Sequence, residues 1–162
     1  MPTNLYGPKD NFNLDTSHVI PALVRKFHDA KVKRESEVSV WGTGTARREF
    51  LFMSDLAEAI VFALENIDAT DIYSEGISHL NVGCGQDIEI RELAELISSV
   101  VGFDGAIRYD ASRPDGTPRK LLDVTRLTRL GWRYKTTLRA GLDQTYKWYE
   151  ESITHNACAV RV

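Results

Sequence analysis

The chain has 162 residues, of which 43% are hydrophobic and 27% charged, the composition of a globular protein that can bury its own core. Its net charge of −3 argues against nucleic acid as a partner, and no apolar run approaches the ~20 residues of a membrane-spanning helix, so we expect no membrane partner. Its two cysteines, Cys84 and Cys158, suggest neither a disulfide framework nor a metal site, so we expect no metal and a reduced, cytoplasmic setting.

The first third of the chain predicts a loop, a helix and two short strands. Turn pairs such as Gly7-Pro8 indicate a loop over residues 1–17, and apolar residues at helical spacing predict a helix over 18–30. Residues 31–37 form a charged connector. Alternating residues predict a strand over 38–41, and after a glycine-rich turn a second strand over 47–52.

The middle third predicts two helices around an irregular segment. Ser54 is expected to cap a helix that ends near Asn66, and residues 67–77 are too polar and irregular for a regular element. Residues 79–82 are expected to form a strand. The clearest helix is predicted over 90–101, where one face is apolar and Gly102 follows at the position that favours glycine.

The last third predicts a strand over 106–109, a basic loop over 113–120, a short helix capped by Asp123, and a final helix from Thr136 or Thr137 to about Ile153. A frayed tail is expected over 154–162. Short strands between helices, without a long β-α series, indicate an α/β lobe. No G-x-G-x-x-G follows an early strand, so the motifs show no complete dinucleotide-binding unit.

Six segments in fixed order carry a family pattern. They are residues 2–8, 18–23, 41–45, 47–51, 79–83 and 113–123. Together they resemble the carboxy-terminal half of the GDP-L-fucose synthases, NADP-dependent epimerase/reductases among the extended short-chain dehydrogenases of the NAD-dependent epimerase/dehydratase family. The resemblance runs from Pro2 to about Glu151, and the Pro-Asp-Gly-Thr-Pro-Arg-Lys run that begins at Pro114 is its most specific part.

The resemblance implies an α/β fold in which residues 1–153 form the sugar-nucleotide-binding lobe with the final elements of the Rossmann domain. The amino-terminal Rossmann half, with its glycine-rich loop, Ser-Tyr-Lys set and catalytic cysteine, is expected to be missing. No Tyr-x-x-x-Lys occurs in the sequence. We therefore expect a fragment that binds NADP(H) only weakly, has little or no activity alone, and exposes an apolar surface that favours self-association. The full-length family forms homodimers.

The resemblance also implies roles for residues near the cofactor and the sugar. Pro2, Thr3, Asn4 and Leu5 match a stretch that lies against the nicotinamide end of NADP. His18 matches the acid/base histidine, which also lies at the cofactor. Epimerisation beside a keto group needs one group to remove an α-proton and another to return a proton, and histidine can do either near neutral pH. Taken alone, a histidine after an N-cap serine is more often structural.

Four further residues match positions that bind the GDP-sugar. Lys26 matches a basic residue near the nucleotide-sugar, Trp41 an aromatic ring that could stack on a sugar or base, and Arg48 the arginine of the diphosphate. Asp115 matches a carboxylate that could accept from guanine or ribose. For three of them a structural alternative stays open, namely a solvated Lys26, a core Trp41 and a plain turn at Asp115.

Several other residues are expected to lie outside this site. Strand alternation sends Arg47 to the face opposite Arg48. The sequence leaves the roles of Arg119 and Lys120 open. We expect His28 to be exposed, His79 to lie in a strand, His155 to lie in the tail, Cys84 to be small and buried, and Trp132, Tyr146, Trp148 and Tyr149 to belong to core or surface.

Two alternatives to the epimerase/reductase remain. The chain could be a non-catalytic module that keeps only a nucleotide-sugar pocket. It could also be part of another nucleotide-sugar epimerase/dehydratase, although the loop around Asp115 fits that alternative less well.

Overall fold

The computed structural model describes residues 1–73, 76 and 78–159. The fold is α/β, as the sequence predicts. In chain order the elements are β1 (Asn4–Tyr6), α1 (Val19–Lys33), β2 (Glu37–Trp41), β3 (Arg47–Phe52), α2 (Met53–Asn66), α3 (Ala69–Tyr73), β4 (Asp87–Glu89), α4 (Ile90–Val101), β5 (Ala106–Asp110), β6 (Arg119–Lys120), α5 (Thr125–Arg129) and α6 (Leu138–Ala159). Among the described residues, no helix is both long and apolar enough to cross a membrane.

Strand β3 organises the first of two small sheets. Its second half pairs in parallel with β1, so that Leu5 lies opposite Leu51. Its first half pairs with β4 in antiparallel and with β6 in parallel orientation. One strand therefore fixes the amino-terminal turn and the basic loop. The second sheet is the parallel pair of β2 and β5.

The main core lies where α1, α4 and α6 pack against one another and against the strands. Their fully buried side chains include Ile20, Val24, Phe27, Leu93, Ile97, Val101 and Leu142. Burying a side chain of this size contributes about 1.5–3 kcal/mol. This core fixes the start of α1 and the end of β2. It therefore holds His18 and Trp41, which lie at these two points, in place relative to β3.

Helices α1 and α4 follow the sequence pattern closely. Helix α4 has the predicted bounds: Glu89 and Glu92 form a capping box, and Gly102 ends the helix in the left-handed conformation with φ of 73°. Helix α1 continues to Lys33 and ends at Arg34, whose φ is 56°. The charged connector predicted over 31–37 is therefore shorter than expected.

Ser54 does not cap α2, contrary to the prediction. Phe52 is the N-cap residue, because β3 pairs with Tyr6 up to that position and the helix begins directly at Met53. The strand predicted over residues 79–82 is also wrong. That segment forms an isolated bridge between Pro2 and Val82, in which the backbone of Val82 bonds to Met1 and Thr3.

The carboxy-terminal half differs from the predictions mainly at element ends. Helix α5 begins at Thr125, and its N-cap residue is Val124 rather than the predicted Asp123. The Asp123 carboxylate nevertheless accepts a hydrogen bond from the N–H of Thr125 (2.9 Å). The Thr137 hydroxyl accepts from the N–H of Ala140 in the first turn of α6. The backbone of residues 154–159 continues α6 where a frayed tail is predicted, whereas residues 160–162 and the side chain of His155 lie outside the described part.

Candidate functional site

Two neighbouring cavities meet at His18. The larger, of about 470 Å³, is lined by residues 3–10 together with His18 and Met53. The smaller, of about 270 Å³, is lined by Asn4, Leu5, His18, Val19, Ile20, Pro21, Trp41, Ala46, Arg48, Phe50, Ile90, Pro114 and Asp115. Asn4, Leu5 and His18 line both cavities. The residues predicted for the cofactor turn and those predicted for the sugar nucleotide therefore share one boundary.

The turn around Asn4 is held by the backbone of β3. The Thr3 hydroxyl and the Asn4 side-chain amide both donate to the carbonyl oxygen of Glu49, at 3.3 Å and 2.8 Å. Thr3, Asn4 and Leu5 line the larger cavity, whereas Pro2 lies at the bridge to Val82 and does not. The structure thus brings three of the four predicted turn residues to one cavity.

His18 is exposed at the start of α1 and faces both cavities. It is itself the N-cap residue of the helix, with an extended backbone (φ −74°, ψ 171°), and its side chain makes no capping hydrogen bond. The imidazole is therefore not used to close the helix end. This position leaves it available to a molecule in either cavity.

Trp41 lies at the end of β2 with two cations against its ring. The side chain is 59% exposed, so the core alternative is wrong. The Lys26 ammonium lies 4.9 Å and the Arg113 guanidinium carbon 5.1 Å from the ring centroid. Lys26 also donates to the carbonyl of Ser39 (3.1 Å), and partial burial lowers the pKa of its ammonium. Lys26 is therefore held at the rim beside Trp41 and adds a positive charge there, whereas Arg113 also pairs with Asp110 at 4.0 Å.

Arg48 places a positive charge in the smaller cavity. Its guanidinium donates to the carbonyl oxygen of Arg47 at 2.7 Å and to that of Asp115 at 3.5 Å. Neither hydrogen bond is to a carboxylate, although the guanidinium is near enough to Asp115 to lower the pKa of that carboxyl group. The fork geometry of a guanidinium suits a diphosphate, which can accept two parallel hydrogen bonds.

Asp115 also lines the smaller cavity, but its carboxylate is bonded to the turn after β2. One oxygen accepts from the N–H of Thr43 and the other from the Thr43 hydroxyl, each at 2.7 Å. These two bonds, with a smaller contribution from the charge of Arg48, lower the pKa of Asp115. Gly42 has φ of +83°, and a β-carbon there would overlap this carboxylate. Thr43 was not predicted to belong to the site. In the sequence, only the Gly-Thr-Gly-Thr turn pointed to a special conformation there.

Arg119 anchors the basic loop, and Lys120 is exposed. The Asp87 carboxylate lies between two guanidinium groups, pairing with Arg47 at 2.8 Å and with Arg119 on the other side. Hydrogen bonds from Arg119 and then Arg47 lower the pKa of Asp87. Because β6 also pairs with β3, this ion pair fixes the end of the basic loop beside the cavity.

Glu49 is a second residue whose structural role was not predicted from the sequence. It is 0% exposed, and its two carboxyl oxygens accept from the N–H of Gly85 (2.7 Å) and of Leu122 (3.1 Å). A β-carbon at Gly83 would overlap the same carboxyl group. The side chain thus joins β3 to two loops that are distant in sequence. The available signal was an acidic residue inside a strand of otherwise apolar and arginine residues.

Two predictions about histidines are wrong. His28 is half-buried, because α6 packs over α1: its Nδ1 lies 3.1 Å from the Tyr146 hydroxyl, and its ring meets Tyr149 edge-on. His79 is exposed and belongs to no strand. Neither residue lines the two cavities.

Cys84 is half-buried rather than buried. Its thiol lies 3.3 Å from the carbonyl of Gln86, and burial raises the pKa of the thiol, which disfavours the reactive thiolate. The aromatic residues Trp132, Tyr146 and Tyr149 are buried, and Trp148 is half-buried. Within residues 1–73, 76 and 78–154, no cluster of three or more histidine, cysteine or acidic side chains could hold a metal ion.

Comparisons with known proteins place the chain in a family. Residues 1–83 match the family described as NAD dependent epimerase/dehydratase. The chain is 56% identical over 153 residues to GDP-L-fucose synthase 1 of Arabidopsis thaliana and 53% identical over 156 residues to GDP-L-fucose synthase of Escherichia coli K12. Each match covers 94% of this chain, but 45% and 48% of the relative. The chain thus spans less than half the length of these curated relatives and matches their carboxy-terminal part.

A solved structure shows the same fold. A GDP-L-fucose synthetase from Naegleria fowleri, bound to NADP, superposes with a TM-score of 0.83 at 27% identity, over 94% of this chain and 46% of that one. The family match covers more than half of the residues, among them all those that line the larger cavity, whereas Ile90, Pro114 and Asp115 of the smaller cavity lie beyond residue 83. The chain therefore belongs to the NAD dependent epimerase/dehydratase family.

Proposed function

We propose that this chain is the sugar-nucleotide-binding half of a GDP-L-fucose synthase, which converts GDP-4-keto-6-deoxy-D-mannose to GDP-L-fucose by 3,5-epimerisation and NADPH-dependent 4-reduction. The observation that carries the proposal is that His18, Trp41, Arg48 and Asp115 line one cavity. The relatives named above, over half identical along nearly the whole chain, support the same assignment.

The smaller cavity binds the nucleotide-sugar in this proposal. Arg48 donates to the diphosphate, because its guanidinium lies in the cavity without a carboxylate contact. Lys26 adds a second positive charge at the rim, and the exposed ring of Trp41 stacks on the base or the sugar. Asp115 forms part of the wall of the same cavity. Together they select a ligand that combines a flat ring, two phosphates and a sugar.

His18 returns the proton in the epimerisation, and the group that removes the α-proton is a separate one. The keto group acidifies the hydrogens on the neighbouring carbons C3 and C5, and inversion requires that a proton leave one face and another arrive on the opposite face. His18 lies between the two cavities with no capping role, so its imidazole can return a proton to the sugar carbon. Histidine suits this exchange because both of its protonation states are populated near neutral pH.

The larger cavity fits the nicotinamide end of NADP. Its wall is formed by β1 and the apolar side chains of Leu5, Tyr6 and Met53, and its border with the smaller cavity runs along His18. Thr3, Asn4 and Leu5 would hold the nicotinamide ring. Pro2, which is bridged to Val82, would fix the backbone just before them. When bound, the nicotinamide supplies the hydride for C4. The sequence contains no Tyr-x-x-x-Lys set and no glycine-rich loop, so we propose that the 162 residues alone turn over little or no NADPH.

Binding of GDP and of GDP-L-fucose, measured by calorimetry, tests this function. We expect Arg48→Ala to weaken both by about tenfold or more, the loss of a charge-assisted phosphate contact. Arg139→Ala is the matched control, because Arg139 pairs with Asp143 on α6 and lies outside both cavities. If Arg48→Ala binds GDP as tightly as the unmodified chain, the diphosphate assignment is wrong.

A nucleotide-sugar-binding module without catalysis is the second candidate, favoured by the lack of a Tyr-x-x-x-Lys set in these 162 residues. NADPH consumption with GDP-4-keto-6-deoxy-D-mannose separates the two when the natural protein, at its full length, is assayed. Turnover supports the synthase, and GDP-sugar binding without turnover supports the module.

A further inference from the structure

We propose that Thr43 is a positioning residue of the nucleotide-sugar site, and that Asp115 acts through Thr43 rather than through a direct bond from its carboxylate to the ligand. This inference rests on the proposed function, because the site that Thr43 shapes is the GDP-sugar cavity. It deepens that function by assigning a role to a residue outside the lining of the cavity.

The contact between Thr43 and Asp115 joins two loops that are 72 positions apart in sequence. Both carboxylate oxygens are engaged at 2.7 Å, one by the backbone and one by the hydroxyl of the same residue. Hydrogen bonds to an ionised carboxylate are among the stronger ones in proteins. Each oxygen keeps a further lone pair, but these two bonds set the orientation of the carboxylate and tie its loop to the turn, which is the role that we assign to it.

The turn that Thr43 belongs to is held from the other side by α4. Arg91 donates from its backbone N–H to Gly44 (2.9 Å) and from its guanidinium to the carbonyl of Thr43 (3.2 Å). The Thr43–Asp115 pair therefore clamps a turn whose far side is already fixed. Gly42 leaves no space for a side chain at the point where the two loops approach.

The pair holds two ligand-binding groups in place. Trp41 immediately precedes the turn, and the carbonyl of Asp115 accepts from Arg48 in the cavity. If the pair is broken, the loop of Asp115 can separate from the turn, and both the Trp41 ring and the Arg48 guanidinium lose their fixed positions. The expected consequence is weaker binding of a nucleoside diphosphate, although neither binding group has been changed.

GDP titration of four variants tests this inference. We expect Thr43→Val and Asp115→Asn each to weaken GDP binding by about five- to tenfold, and the double variant to be no weaker than either, because both break one interaction. Thr43→Ser retains the hydroxyl and should restore binding. Thr70→Val, at an exposed position on α3, is the matched control. Weaker binding by Asp115→Asn with normal binding by Thr43→Val would overturn the inference, since the carboxylate would then contact the ligand directly.

Acrylamide quenching of tryptophan fluorescence gives a second test that needs no ligand. Trp41 is 59% exposed, Trp132 is 7% exposed and Trp148 is half-buried, so a Trp41→Phe variant is used to separate the quenching of Trp41 from that of the other two. We expect greater quenching in Thr43→Val and Asp115→Asn, but not in Thr43→Ser. Equal quenching in all of them would overturn the inference. If the unmodified chain binds no GDP while the quenching pattern appears, the proposed function fails, and only the positioning of Trp41 by the Thr43–Asp115 pair stands.

Discussion

Arg47 and Arg48 are consecutive in β3, yet their guanidinium groups make contacts on opposite sides of the strand. Arg47 pairs with the carboxylates of Asp87 and Glu89, whereas Arg48 reaches into the smaller cavity beside the backbone of Asp115. The two adjacent arginines thus have different roles. Arg47 fixes the loops that surround the cavity, and Arg48 can contact an anionic ligand.

Acid should lower the stability of the folded chain through two carboxyl groups in the loops around the cavity. The pKa of Asp87 is lowered by Arg119 and Arg47, and that of Asp115 by Thr43, from an ordinary value of 3.8. A carboxyl group whose pKa is lower in the folded state stabilises that state above its ordinary pKa, and this contribution disappears as the pH falls through the lowered value.

We therefore expect the urea midpoint to be level above about pH 5 and to fall below about pH 4. Urea unfolding at a series of pH values measures this dependence. Asp87→Asn should start from a lower midpoint and fall less steeply. A variant whose midpoint follows the same acid curve as the unmodified chain would show that Asp87 does not contribute.

Gly42→Ala should destabilise the chain more than an alanine at another left-handed glycine. At φ of +83° an L-residue is strained, and the new β-carbon would also overlap the Asp115 carboxylate. Gly76 provides the control, because its φ is +70° but no atom of the residues that the structure describes, apart from its chain neighbours, lies within 4 Å of the position of its β-carbon.

We expect about 1 kcal/mol for Gly76→Ala, from strain alone, and about 2 kcal/mol or more for Gly42→Ala. Urea unfolding gives both values. Equal costs at the two positions would mean that the close approach of the two loops is not needed for stability.

Local patterns were enough to predict several elements. Helix α4 has one apolar face, a capping box and a terminal glycine that agree with one another, and its bounds were predicted correctly. The strand over 38–41 follows from alternation, and the separation of Arg47 from Arg48 follows from the alternating side-chain directions of any strand. These features depend on residues that are close in sequence.

Contacts between distant residues could not be predicted in this way. Thr43 meets Asp115 across 72 positions, Glu49 meets Leu122 across 73, and His28 is covered by Tyr146 across 118. Periodicity shows which face of an element is apolar but not which loop will lie against it. The resemblance to a family indicated the candidate site residues, whereas the interactions that hold them became visible only in the structure.

Glu49→Gln should destabilise the chain, although the substitution changes the side chain very little in size. The amide group can accept only through its single oxygen, so the N–H of either Gly85 or Leu122 would face an NH₂ group inside a fully buried site. A buried donor without an acceptor costs about 1–3 kcal/mol, and Glu49→Ala should cost more because both donors lose their partner.

The free energy of unfolding in urea measures these costs. Glu58→Gln is the control, since Glu58 forms an exposed ion pair with Lys135 that should contribute less than about 1 kcal/mol. If Glu49→Gln costs no more than Glu58→Gln, the carboxyl group is not needed to hold the two loops.

The 162-residue chain should self-associate through the outer face of α2. Met53, Ile60 and Leu64 follow one another at helical spacing and are 44–81% exposed, with Val61 beside them. An exposed apolar stripe of this kind favours association, because burying it removes apolar surface from water. Sedimentation velocity at increasing concentration should show a rising average sedimentation coefficient. Ile60→Glu with Leu64→Glu should abolish the rise, whereas Val32→Glu, at an exposed apolar position on α1, should not. Association that persists unchanged in the double variant would exclude this face as the contact.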